Sequence, residues 1–356
     1  MKYVSRKVIV GVVAVSITGL AVAAATAGLN HTATKKASAQ VCVLLPDTKS
    51  SVRWVQFDAP AFKAALTKAG VTYSINNALN DPQKQKAQAQ ACLAAGAKVV
   101  VETALDNGSA ASIEKLFTSA GGKAIDYDRQ VLGGTASVYV TFDGNQVGRA
   151  QAKGILAKLS GKTKPVVAEL WGGPTDQNAF WFKSGNDDIL NPLFKNGKIT
   201  KGPQQFVPDW LATNAAPIFA QMLVKTNNKI DGVIAANDGI AGAVVATLKA
   251  RHLSPIPLSG QDATAQGVQY IISGWQTGTV YKYVPAEANA AAAAAVALLK
   301  GQKPKTTTVR KNGSVNEPTL ALPVVWITKA NYKRLFTDKF LKKSDVCIGK
   351  FKQYCK

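Results

Sequence analysis

From Gln40 onward, short Val- and Ile-rich runs alternate with longer segments patterned for helices. Runs of strand length fall at 41–45, 71–75, 98–102, 123–127 and 138–142. Helical patterns occupy 52–69 and 81–95, with two more starting after the turn at Asn107-Gly108 and near Asp143. A second series places strands at 166–170, 204–207, 232–235, 257–260 and 277–281, alternating with helices at 178–193, 211–225, 240–251 and 265–273. An Ala-rich helix at 285–299 and a strand at 322–327 complete the pattern. Strands that alternate with helices predict βαβ units and parallel sheets. The expected fold is α/β, with two doubly wound parallel-sheet lobes end to end.

In open α/β sheets ligands bind beyond the carboxyl ends of the strands, and those ends hold one kind of chemistry. Arg53 and Trp54 lie near the first; Asp128-Arg129 follow Tyr127; Asp176-Gln177-Asn178 follow Trp171-Gly172-Gly173-Pro174-Thr175. Asp209-Trp210 follow the strand around Phe206, Asn237-Asp238 follow Ala236, Gln261-Asp262 follow Gly260, and Lys282 follows Tyr281. Taken singly, each has a structural explanation. Asx residues at these places cap helices, Asp128 beside Arg129 makes a local ion pair, and Trp54 and Trp210 pack. Recurrence at successive strand ends favours a shared site. Carboxylates, carboxamides and guanidinium groups meet vicinal hydroxyls with paired donors and acceptors, and indoles pack on C–H faces. That is the chemistry of a sugar ring.

The same residues carry a resemblance. Tyr127-Asp128-Arg129, the run Gly172 to Ala179, Asn228-Lys229-Ile230-Asp231, Asn237-Asp238, Ser259-Gly260-Gln261-Asp262-Ala263 and Thr279-Val280-Tyr281-Lys282 are similar to motifs of the type I periplasmic binding proteins, the xylose-binding branch in particular. The resemblance spans about 41–325. It implies that Arg53, Asp128, Arg129, Asp176, Asn178, Asn237, Asp262 and Lys282 contact a monosaccharide, an aldopentose such as xylose, with Trp54 and Trp210 sandwiching the ring. It implies a three-stranded hinge with crossings near Asp143, near Lys282 and before Leu322. The lobes would then comprise 40–142 with 283–315 and 143–282 with 316–340, leaving 341–356 as a basic Cys-containing tail. It further implies delivery to an ABC permease by a monomeric carrier. Two features depart from the pattern: the first strand ends in Leu45-Pro46-Asp47-Thr48-Lys49-Ser50-Ser51 without an acidic loop, and Ala179-Phe180-Trp181-Phe182 is unusually aromatic.

The N-terminus adds a compartment. Lys2, Arg6 and Lys7 precede an uncharged apolar run, and Ala25-Thr26-Ala27 and Ala37-Ser38-Ala39 both fit a cleavage site, the second leaving Gln40 first. Residues 1–39 read as a signal peptide; a retained anchor is the alternative. Four cysteines, Cys42, Cys92, Cys347 and Cys355, suit an oxidising compartment. Of three pairings, the short Cys347–Cys355 loop favours that bridge and leaves Cys42 with Cys92. With two His and no CxxC, a metal site is not expected, nor is any cofactor.

The charge of +22 comes from singly spread lysines rather than an arginine-rich, aromatic-interleaved patch. This disfavours nucleic acid and suits an anionic cell envelope. The chain holds no GxxxxGK[ST] loop, so ATP hydrolysis would belong to a separate subunit. An enzyme on the same fold is disfavoured by the scarcity of His and by cations beside the candidate acids Asp128 and Asp262. A sensory receptor for chemotaxis or a kinase stands as the other alternative to transport.

Overall fold

The computed structural model describes residues 39–313 and 315–355. The export segment and its candidate cleavage sites lie, apart from Ala39, outside the described residues. The described residues form one compact unit.

The first lobe begins with β1 (Val41–Leu45), all five residues buried. Residues Trp54–Asp58 form a π-helical turn that runs into α1 (Ala59–Lys68). Then come β2 (Tyr73–Asn77), α2 (Pro82–Ala94), β3 (Val99–Glu102), α3 (Asn107–Ser119), β4 (Lys123–Tyr127) and β5 (Val138–Phe142). The second lobe holds α4 (Gly144–Leu159), β6 (Val166–Trp171), α5 (Gln177–Lys195), β7 (Thr200–Phe206), α6 (Ala212–Lys225), β8 (Gly232–Ala235), α7 (Asp238–Ala250), α8 (Ala265–Ile272) and β9 (Thr279–Tyr281). The chain returns to the first lobe as α9 (Val284–Leu299), β10 (Thr308–Asn312) and β11 (Val315–Leu322). It ends in the second as β12 (Val325–Ile327), α10 (Arg334–Thr337) and α11 (Lys343–Val346).

Helix starts are written locally. The Asp81 carboxylate accepts from the Gln83 and Lys84 N–H groups with Pro82 in the first turn, and Asp143 accepts from Gln146. Strand order is β10-β11-β5-β4-β3-β1-β2 in the first sheet and β7-β6-β8 in the second. The second continues through single bridges from Val233 to Leu258 and from Gln261 to Val280 towards β9 and β12. Each sheet is parallel in its interior; β10–β11 and β12–β9 are the antiparallel pairs. Separate apolar clusters fill the lobes: Val43, Phe62, Val101 and Ile125 with α9 alanines in one, Leu170, Phe219, Val233 and Val244 in the other.

Several details differ from expectation. Residues 257–260 make one bridge at Leu258 instead of a strand, and 322–327 shortens to β12. The β10–β11 pair was not anticipated, and β11 is hydrogen-bonded to β5 in the first sheet although the expected boundary gave residues from 316 to the second lobe. The third crossing therefore follows Leu322 rather than preceding it. Residues 341–355, expected as a basic Cys-containing tail, pack on the second lobe: Leu341 and Val346 are buried against α8 with Val268 and Ile272.

Candidate functional site

A cavity lies between the lobes, lined by Arg53, Trp54, Asp128, Arg129, Asp176, Asn178, Trp210, Asn237, Asp262 and Lys282, the ten residues singled out from the strand ends. Ser50, Ser51, Phe182 and Gln261 complete the lining.

On the first-lobe side, the Asp47 carboxylate accepts from the Lys49 and Ser50 N–H groups at 2.7 and 2.6 Å and from the Ser50 hydroxyl at 2.6 Å. Ser50 Oγ in turn accepts from Trp54 Nε1 at 3.1 Å, so this acid-poor loop fixes the indole. Arg53 starts the π-turn, 2% exposed, and spends its guanidinium on three carboxylates. It meets Asp58 at 2.8 Å, Asp128 at 2.5 Å and Glu287 at 2.5 Å. The Tyr127 hydroxyl also donates to Asp58. The Arg53 and Arg129 guanidinium carbons lie 4.4 and 5.5 Å from the Trp54 ring centroid.

Asp128 sits at φ 61° just past β4. The left-handed turn aims its carboxylate into the cavity. Burial opposes its charge, but Arg53, Lys282 and Arg129 hold it down at about 2. It is a fixed acceptor, not a proton donor. Burial pushes Glu287 up to about 8, since Arg53 is shared with Asp128 and Asp58. Asp176 is also raised by burial, against the pull of Arg129.

The second lobe answers from its own strand ends. Asp176 pairs with Arg129 Nε at 2.9 Å while capping α5 through the Asn178 N–H. Asn237 caps α7 through the Ile240 N–H and reaches the Ser50 carbonyl at 3.2 Å. Capping and lining are thus performed by the same side chains. Asn178 Nδ2 donates to the Asp128 carbonyl at 2.8 Å, Ser51 Oγ donates to Asp262 at 2.9 Å, and Lys282 Nζ lies 3.4 Å from Asp128 and 3.7 Å from Asp262.

Trp210 is seated by two successive left-handed residues, Asp209 and Trp210. Its indole occupies the space above Gly172, where a Cβ would fall 2.1 Å from the ring. Phe182 meets it edge-on at 5.9 Å. The aromatic run after Asn178 thus contributes one ring to the cavity.

The periplasmic binding protein domain family matches residues 41–303. The chain belongs to the type I periplasmic sugar-binding protein family. Family members are solute-binding proteins, not enzymes. The chain is 33% identical over 296 residues to the D-xylose-binding periplasmic protein of Escherichia coli, covering 83% of this chain and 88% of that one. It is 29% identical to the multiple sugar-binding periplasmic receptor of Rhizobium radiobacter, covering 84% and 89%. Among solved structures, the carbohydrate transporter solute-binding protein of Chloroflexus aurantiacus in complex with D-glucose aligns with TM-score 0.79 and 29% identity, covering 86% of this chain and 97% of that one.

Four lining residues lie outside the ten singled out, Gln261 having been noted only at its strand end. Ser50 and Ser51 lie in the loop after β1, and their place just past a buried strand end was a usable signal. Gln261 directly precedes Asp262, and Phe182 lies one helical turn beyond Asn178. Asp58 and Glu287, the partners of Arg53, carried no local signal. Among the described residues no group of His, Cys or acids is arranged to hold a metal ion, and no helix is long and apolar enough to cross a membrane. Both expected disulfide pairs, Cys42–Cys92 and Cys347–Cys355, are formed.

Proposed function

We propose that the protein captures a neutral monosaccharide, an aldopentose such as xylose, in the interlobe cavity and delivers it to an ABC permease whose ATPase is a separate subunit. One observation carries this reading: ten polar and aromatic side chains from both lobes face a single cavity in which every cation already has a carboxylate partner. Arg53, Arg129 and Lys282 are paired with Asp58, Asp128, Asp176, Asp262 and Glu287. That leaves no free positive charge for a sugar phosphate or uronate, and a dense set of donors and acceptors for hydroxyls.

Closure follows from the same contacts. Asn237 to Ser50, Ser51 to Asp262, Arg129 to Asp176 and Asn178 to Asp128 each join one lobe to the other. A sugar that bridges the two walls adds to these and favours the closed state by its differential contacts. Asp128, held ionised, accepts without donating, which supports binding over turnover. The xylose-binding relative supports a pentose.

Calorimetry against pentoses, hexoses, a uronate and a sugar phosphate tests the reading. Heat with neutral sugars, largest for an aldopentose, is expected. Silence with every neutral monosaccharide, or preference for the charged ones, overturns it.

A further inference from the structure

The C-terminal segment carries a charge and a surface that the cavity does not use. Residues 329–355 hold eight lysines and arginines against two carboxylates, whereas residues 40–328 hold 29 against 19. One of those two carboxylates, Asp338, is taken by Arg334 at 3.2 Å. The segment is firmly built: Leu335, Phe340, Leu341 and Val346 are buried, Gln269 of α8 donates to the Asp345 and Val346 carbonyls at 3.2 and 3.3 Å, and the Cys347–Cys355 bridge closes the final turn.

What this platform presents is basic and apolar together. Within the bridged loop, Ile348 is 50% and Tyr354 37% exposed, and Lys350 and Lys352 are exposed beside them. Lys329 Nζ lies 6.0 Å from the Tyr354 ring. The charge continues onto α7, where the Lys249 ammonium is pushed below the ordinary lysine value by partial burial and by the positive charge of Lys350. Like charges held together raise the cost of the folded state unless an anion lies against them.

We infer that the disulfide-closed C-terminal loop is a docking surface for an anionic phospholipid bilayer. Lysines supply attraction to headgroups, and Ile348 and Tyr354 supply the apolar and interfacial contact that a soluble polyanion would not engage. The loop is pre-ordered by its bridge, so little conformational freedom is lost on docking. The attraction is of the weak, reversible kind: it holds a carrier near the membrane without anchoring it. This surface is independent of which sugar is bound.

The test uses the chain from Gln40 onward, which contains every described strand and helix and both disulfides. Flotation with phosphatidylcholine vesicles is compared with flotation when phosphatidylglycerol is added. Partition onto the anionic vesicles only, falling as salt rises, is expected. K350E/K352E should lower it at least about tenfold, at roughly a factor of five per charge. I348S/Y354S should lower it too, and K84E/K86E, on the remote helix α2, should leave it unchanged. Thermal unfolding of each variant confirms that the fold is intact. No partition of the parent chain overturns the inference. Equal loss from K84E/K86E overturns it in favour of a diffuse basic coat. Undiminished partition of I348S/Y354S, with polyphosphate bound as well as vesicles are, overturns it in favour of a soluble polyanion.

Discussion

The first lobe holds a pile of buried acids, and its protonation sets how stability responds to pH. Glu102 on β3, Glu114 on α3, Asp126 on β4 and Glu317 on β11 are all buried, and among the described residues none of the four has an ion-pair partner. Among the described residues the Glu102 carboxyl has no hydrogen-bond partner, whereas Glu114, Asp126 and Glu317 share protons with one another and accept from neutral groups. Asp126 accepts from the Val131 N–H at 2.7 Å, Glu114 accepts from the Thr135 N–H, and Glu317 accepts from Gln130 Nε2 at 2.9 Å and Asn312 Nδ2 at 3.3 Å. Burial raises all four; the charge of Glu114 adds to the rise at Glu102 and Asp126. Burial, helped by the charge of Glu114, pushes Glu317 up to about 7 against the hydrogen bonds with Gln130, Asp126 and Asn312.

A carboxyl whose folded pKa lies above its unfolded one binds its proton more tightly when folded. Its contribution is therefore fully present below the unfolded value and lost as pH rises through the folded one. For Glu317, from an ordinary value near 4.5 to about 7, the loss is ~3 kcal/mol. Asp238, raised by burial to about 7 in the second lobe, acts with the same sign. Asp128, held at about 2, contributes oppositely but only in stronger acid. Urea unfolding between about pH 5 and pH 7.5 should show stability falling with pH. Glu317→Gln, which keeps the shape and removes the titration, should reduce the fall in stability across that window by ~2 kcal/mol. Stability that rises with pH there, or a variant slope equal to that of the parent, would refute the reasoning.

Further outcomes follow from single contacts. Arg53→Met leaves Asp58, Asp128 and Glu287 buried without their shared cation and should cost ~3–5 kcal/mol in urea unfolding, with sugar binding lost. Gly172→Ala drives a methyl into the Trp210 ring; a stability loss of ~1–3 kcal/mol and a weakened sugar titration are expected, with Trp fluorescence reporting the displaced indole. Phe340→Ala removes the partner that stacks on Phe57 of the π-turn, centroids 4.2 Å apart. Unfolding should become easier by ~3–5 kcal/mol, and sugar should dissociate faster because this stack joins the C-terminal segment to the turn bearing Arg53 and Trp54. An unchanged off-rate would limit Phe340 to packing.

Much of this protein was legible along the chain because the deciding interactions are short-range. The run 41–45 is an interior strand by its unbroken apolar character, and Asp81, Asp143, Asp176 and Asn237 mark helix starts because a cap acts within three residues. Strand ends in parallel sheets share one side, so their side chains converge on the cavity by topology. Tertiary structure alone decided the rest. The exposed edge strand β10 is too polar to announce itself, and its pairing with β11 depends on β5, whose partner residues lie far back in the chain. Leu258 bridges to Val233 without its neighbours building a strand. The ion cluster of Arg53 shows the limit most plainly. Glu287 lies 234 residues away in sequence and 2.5 Å away in space. No periodicity spans that separation, because only the packing of α9 against the first sheet brings the carboxylate to the guanidinium.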